Sequence, residues 1–219
     1  MDISPLLISL ETASVATLIT FFLGIGAAAL VTGAKRGKSL FDVLFSLPLV
    51  LPPTVVGFLL LILFGRNTPV GSFLTDIGIN VIFTRTGAVI AAFVVAFPIV
   101  YRTARGAFQQ IDMELVDVAR TIGIGKKDML FKVMLPLSWP SLVSGAVLAF
   151  ARSLGEFGAT IMVAGNIPGR TRTMSIAVYN AMQSGNREAA YTWVVIMLLI
   201  SFVVLLLINL MASCGYRTD

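Results

Sequence analysis

Histidine is absent from this 219-residue chain, cysteine occurs once, and charged residues make up only 12% of it. Each shortage closes off a class of chemistry. Without imidazole there is no bis-histidine haem, and most zinc and non-haem iron sites lose their ligands. The single thiol, Cys214, cannot form an internal disulfide, so redox compartment is not readable from it. So near the C-terminus it reads as incidental, with palmitoylation the sharper alternative. A soluble domain carries about 25% charged residues, and this chain falls well below that while being 57% hydrophobic. The opening MDISPLLISLETASVATL has no basic stretch before its apolar run. A cleaved signal peptide would carry one, so the first apolar stretch reads as a retained helix.

What the chain does have is long apolar runs, with a mean hydropathy of +0.94. This is the pattern of an all-α, polytopic integral membrane protein, with residues 1–219 forming a single transmembrane domain. A helix needs about 20 apolar residues to cross the hydrocarbon core. Five stretches qualify: 12–34, 43–64, 86–104, 138–161 and 190–212.

Orientation follows from the basic residues between them, since cytoplasmic loops are enriched in Lys and Arg. Lys35, Arg36, Lys38, Arg102, Arg105, Arg120, Lys126, Lys127, Lys132 and Arg217 fall on one side, and Arg66, Arg85, Arg170, Arg172 and Arg187 on the other. Ten against five, with Arg152 set aside, predicts an external N-terminus and a cytoplasmic C-terminus. The pI near 9.7 is then topological and calls for no nucleic acid.

Two motifs fail on inspection. TGAKRGKS, at 32–39, lacks the first glycine of a phosphate-binding loop and follows an apolar helix rather than a strand. Any nucleotide energy must come from another chain. VARTIGIGKKDMLFKV has the look of a helix-turn-helix, but it is tied at both ends to membrane helices, which leaves no room for DNA.

Prolines mark the second span. Pro48, Pro52 and Pro53 in LPLVLPPTVVG remove donors and clash with the preceding turn. They predict a kink or break near the cytoplasmic end, either as packing or as a flexible element beside a pathway. Pro98 predicts a kink in the third span.

The long loop, about 105–137, carries Ile111, Leu115, Val118, Ala119 and Ile122 at helical spacing. Asp112, Glu114, Asp117 and Arg120 lie on other faces. Gly123-Ile124-Gly125 ends this amphipathic helix, and Lys126 to Met134 offers a second short helix stopped at Pro136. The apolar face suits either the lipid surface or a docked partner.

The fourth span contains ARSLGEFGAT at 151–160. An arginine at the centre of a membrane helix costs about 2.5–3.5 kcal/mol on insertion scales. Such residues usually face a bundle interior or wet cavity and are paired. Arg152 and Glu156 are one turn apart and can meet. They read as a self-neutralised structural pair or as part of an anion pathway. Ser153, Gly155, Gly158 and Thr160 add hydroxyls and exposed backbone nearby. After the span, Gly165 and Pro168-Gly169 predict a turn, and 173–183 a short helix at the outer interface. Arg170 and Arg172 could meet an acidic face on a delivery protein or stand solvated.

The loop resembles the cytoplasmic signature of importer permeases of the ATP-binding cassette class. That signature runs Glu-Ala-Ala, three residues, Gly, nine residues, Ile, one residue, Leu-Pro. Here Asp117-Val118-Ala119, Gly123, Val133 and Leu135-Pro136 keep its spacing, with Asp for Glu and Val at two positions. The resemblance implies that the loop is a coupling helix seated in a cleft of an ATPase subunit. LPLVLPPTVVGFLLLILFGR (47–66), AFARSLGEFGAT (149–160) and GNIPGRTRTMSIAVY (165–179) are similar to the molybdate permeases, while sulfate and tungstate permeases share a form of LGEFGA. It implies a homodimer with a pathway along its two-fold axis, lined by the Arg152–Thr160 stretch and Pro52-Pro53. It also implies two ATPase subunits carrying ATP and Mg, and an extracytoplasmic oxyanion-binding protein. No catalytic residue, metal or cofactor is expected in this chain. A tungstate or sulfate permease shares this architecture. The rival from another class, a passive anion channel, would need no coupling loop.

Overall fold

The structure is a computed structural model that describes residues 2–34 and 36–215, with side chains for all of these except Arg120, Lys126 and 207–215. The expectations resting on Lys35 and Arg217, and on the side chains of Arg120, Lys126 and Cys214, lie outside the described residues.

Among the described residues every regular element is helical. Four helices are long and apolar enough to cross a bilayer: α1 (Ser4–Gly33), α5 (Arg85–Gln109), Met129–Leu154 and the Arg187–Leu206 part of the last helix. The second apolar stretch is two helices, α2 (Lys38–Val50) and α3 (Pro53–Leu63), bent by 110° at Leu51-Pro52. Pro52 is extended and Pro53 opens α3, as proline does at a first turn. The expected break is therefore present, and it divides the span into half-helices. α4 (Pro69–Asp76) and α5 both start on threonine caps: Thr68 accepts from the Gly71 N–H and Thr84 from the Gly87 N–H. α4 was not foreseen. It is too short and too mixed to stand out beside the apolar spans. α5 is continuous through Pro98.

α6 (Met113–Thr121) ends at Gly123, whose φ is +83°. The Ile124 N–H donates to the Ala119 carbonyl, closing a Schellman turn on the predicted glycine. The next segment departs from expectation. α7 (Lys126–Asp128) leads through a π turn (Met129–Met134) straight into α8 (Leu135–Leu154). Pro136 stops nothing; it lies in the first turn of α8. The Leu135 N–H reaches back to Leu130, the wider π register, so the chain passes the proline with helical bonding on both sides.

The fourth span needs a second correction. The run 138–161 is not one helix: α8 ends at Leu154, and α9 (Gly158–Ala164) begins after a short break. α10 (Met174–Gln183), capped by Thr173, is the expected short outer helix, and α11 (Arg187–Gly215) is the last helix among the described residues. Gly165 and Gly169 carry the turns before α10 at φ +71° and +67°.

The core is the packing of α1, α5 and α8. Ala28, Ala96, Ala104 and Ala149 are fully buried there with Val100, Tyr101 and Leu142. Small residues let membrane helices approach closely. Leu135, Met134, Leu130 and Ile111 pack against the same cluster, which roots both ends of the long loop in the bundle. α2 is peripheral and buries no residue completely.

Candidate functional site

The two broken spans meet at their breaks. α3 packs on α9, and the start of one half-helix lies on the start of the other. A Cβ added to Gly158 would stand 3.1 Å from Pro53 Cβ and 3.1 Å from the Thr54 nitrogen. One added to Gly57 would stand 2.7 Å from Ala159 Cα and 2.8 Å from Met162 Cβ. At Gly57 the obstructing atoms include backbone, so no side chain fits there, and at Gly158 a methyl would be tighter than ordinary van der Waals contact. Discontinuous helices of this kind build substrate and ion sites in transporters.

Arg152 and Glu156 bracket the second break. Arg152 lies in the last turn of α8, not near mid-helix as a continuous span would have put it. Glu156 lies beyond the helix, in the break itself. The pair nevertheless forms, with Nη1 to Oε2 at 2.7 Å. Glu156 also accepts from the Ala159 N–H through Oε1 at 2.8 Å, so its carboxylate caps α9. Each charge stands at the helix end whose dipole favours it: a cation at a C-terminus, a carboxylate at an N-terminus. Exposure separates their roles. The Glu156 side chain is 2% exposed and the Arg152 side chain 34%. The carboxylate is interior structure, while the guanidinium reaches the surface of the protomer beside exposed Gly155. Pro52 and Thr54 are also exposed at the other break, whereas Pro53 is half-buried. Ser153, Gly158 and Thr160 are buried. The Ser153 hydroxyl has no hydrogen-bond partner among the described residues. These three support the junction from within and do not form its face.

The loop residues separate as well. Val118 is 59% exposed on α6, along with Leu115 and, just beyond the helix, Ile122, whereas Ala119 is buried. Asp117 and Gly123 are on the surface, Val133 and Leu135 are half-buried in the π turn and the start of α8, and Pro136 is exposed. The amphipathic face thus divides: Ile111 and Ala119 face inward, and three large apolar side chains face out.

Two features were missed. Arg105, counted above as a loop charge, is 8% exposed in α5. Its guanidinium donates to both Asp42 oxygens, at 3.0 and 3.1 Å, and to Thr32 Oγ1 at 3.2 Å. The Tyr101 hydroxyl donates to the same carboxylate. This clamp joins α1, α2 and α5, and Phe45 of α2 lies edge-on to Phe97 and Tyr101 beside it. The signal was present: Asp42 is the lone acid in an apolar helix, and Tyr101 and Arg105 are one turn apart. On the opposite side, Arg85 pairs with Glu11 at 2.8 Å and donates to the Arg170 and Gly169 carbonyls. Arg172 donates to Asn166 Oδ1 at 2.7 Å, so it is an internal brace, while Arg170 is exposed.

Comparison with known proteins bears on the family and the fold. The chain is 46% identical over 185 residues to the molybdenum transport system permease protein ModB of Escherichia coli (strain K12), covering 84% of this chain and 81% of that one. It is 43% identical over 190 residues to ModB of Haemophilus influenzae, covering 86% and 83%. The fold matches that of a bacterial alginate ABC transporter, solved in complex with an alginate-bound periplasmic protein, with a TM-score of 0.76 at 18% identity over 99% of this chain and 80% of that one. The model of the binding-protein-dependent transport system inner membrane components matches residues 20–213. The chain is a multi-pass membrane protein and belongs to that family.

Proposed function

We propose that this chain is the membrane-spanning subunit of an ATP-driven molybdate importer. Two copies form the translocation unit, and the oxyanion passes along the face where the broken spans meet. The observation that carries this reading is the junction itself: two half-helix starts sealed together by glycine, with one partly exposed guanidinium whose countercharge is buried behind it. A tetrahedral dianion needs a cation to enter such a path and a weakened one to leave it. Glu156 supplies that weakening from 2.7 Å. The two ModB relatives support molybdate over tungstate or sulfate.

The remaining parts follow from the same reading. ATPase subunits, carrying ATP and Mg, dock on the 105–137 loop through the outward face of α6. An extracytoplasmic binding protein delivers the ion on the side of Arg170. The N-terminus is external and the C-terminus cytoplasmic, as the basic residues predict. ATP-driven closure of the ATPases moves α6 and switches the junction between outward and inward access.

The test is a double-mutant cycle of Arg152→Met and Glu156→Gln in the assembled complex. Glutamine keeps an acceptor for the Ala159 N–H. The double variant removes both charges together, a change that is often neutral for stability. We expect it to assemble at wild-type yield and lose molybdate uptake, while Arg152→Met alone lowers the yield by stranding Glu156. Wild-type uptake by a well-assembled double variant would leave the pair as structure only.

A further inference from the structure

A cavity of about 790 Å³ lies between α2 and α5, lined by none of the residues of the seam between the helix breaks, and nothing in the transport reading uses it. Lys38 and Gln109 stand at its mouth, at the start of α2 and the end of α5, and Arg102 and Ser46 line it further in. Val43, Leu47 and Val50, all exposed, line it along α2. From Lys38 to Val50 the lining follows α2 for about 18 Å at 1.5 Å per residue. The groove is therefore charged at one end and apolar at the other.

The charge in it is unbalanced. Asp42 and Arg105 also line the cavity, but they neutralise each other in the two-bonded clamp. Lys38 and Arg102 are exposed, and neither makes an ion pair among the described residues. Elsewhere Arg152 is partnered by Glu156 and the exposed Arg85 by Glu11. Here two are left facing one cavity.

We propose that this groove seats an anionic phospholipid, its phosphate between Lys38 and Arg102 and one acyl chain along Val43, Leu47 and Val50. Basic pockets between helices at the cytoplasmic membrane face bind such headgroups, and the orientation proposed above puts the mouth in that leaflet. Arg102 lies deeper than Lys38, and its long side chain can run outward to the phosphate. A free tetrahedral ion would fill only the charged end and leave the apolar length unused. Because α2 buries no residue completely, a lipid lying along it would complete its packing. It would thereby tie the position of α2, and of the break at Pro52, to the lipid composition.

The experiment uses the intact permease–ATPase complex in phosphatidylcholine nanodiscs, with dioleoyl phosphatidylglycerol titrated in and thermal unfolding recorded. Phosphatidylglycerol should raise the unfolding temperature, and neither inorganic phosphate, glycerol 3-phosphate nor molybdate should reproduce the shift. In Lys38→Gln/Arg102→Gln the response should need on the order of tenfold more phosphatidylglycerol. Val43→Trp, which fills the apolar end and leaves both cations, should weaken it too. An unchanged dose response in both variants overturns the proposal. A shift reproduced by glycerol 3-phosphate or molybdate would make the groove a seat for a free oxyanion instead. Efficient disulfide formation between protomers by Val43→Cys, in a Cys214→Ser background, would make it a subunit contact, and the lipid site would fall.

Discussion

At the scale of single residues, the seam between the half-helices depends on what is missing from Gly57. A methyl there would sit 2.7 Å from a backbone carbon of Ala159, and neither α3 nor α9 can yield without opening the junction. We expect Gly57→Ala to cost about 1–3 kcal/mol of stability through overpacking and to lower transport. Gly26→Ala on α1, where an added Cβ meets nothing within 4 Å, should be silent. Thermal unfolding of the two variants side by side checks this, and equal midpoints would mean the seam is looser than its geometry. The charge pair belongs to this scale too. From spacing, Arg152 and Glu156 could be recognised as partners, because four residues is one helical turn. That the turn is broken between them was hidden. Gly155 is tolerated in a helix, and no proline marks the stop, so nothing local separated a continuous span from α8 followed by α9.

At the scale of elements, α6 is the piece left without cover. Leu115 and Val118, with Ile122 just past its end, are each more than half exposed, on a nine-residue helix too short to be stable alone. An apolar stripe on such a helix is most stable against a partner. Val118→Asp should leave the chain in the membrane and reduce recovery of the ATPase subunit by roughly tenfold, the cost of losing one buried anchor. Co-purification from membranes is the measurement, and full recovery with normal uptake would move the docking site elsewhere. The amphipathic period and the terminating Gly123 were readable because both are local. The π turn was not, since its register depends on how α8 seats Leu135 and Met134 against the bundle.

At the scale of the whole molecule, topology is the claim most open to direct test. Single cysteines placed at Lys127 and Arg170 in a Cys214→Ser background should label oppositely in intact cells. Position 170 should react with an impermeant maleimide, and position 127 only after the membrane is opened. Labelling of 127 in intact cells would invert every assignment of inside and outside made here, including the leaflet of the lipid groove.

Class, span number, the amphipathic loop and the proline break follow from the sequence alone, because they rest on composition and on periods of a few residues, and the bilayer enforces both. Only the tertiary structure decided which charges are buried. Arg105 reads as a loop cation and becomes the centre of a clamp with Asp42, 63 positions away, because α2 folds back along α5. Likewise, only packing brings Pro53 against Gly158 and makes two separate breaks into one junction. The prolines announce the interruption in the second span, whereas the one in the fourth carries no local mark. Whether the interruptions meet depends on the distance between segments that share no local signal, and close packing is what sets that distance.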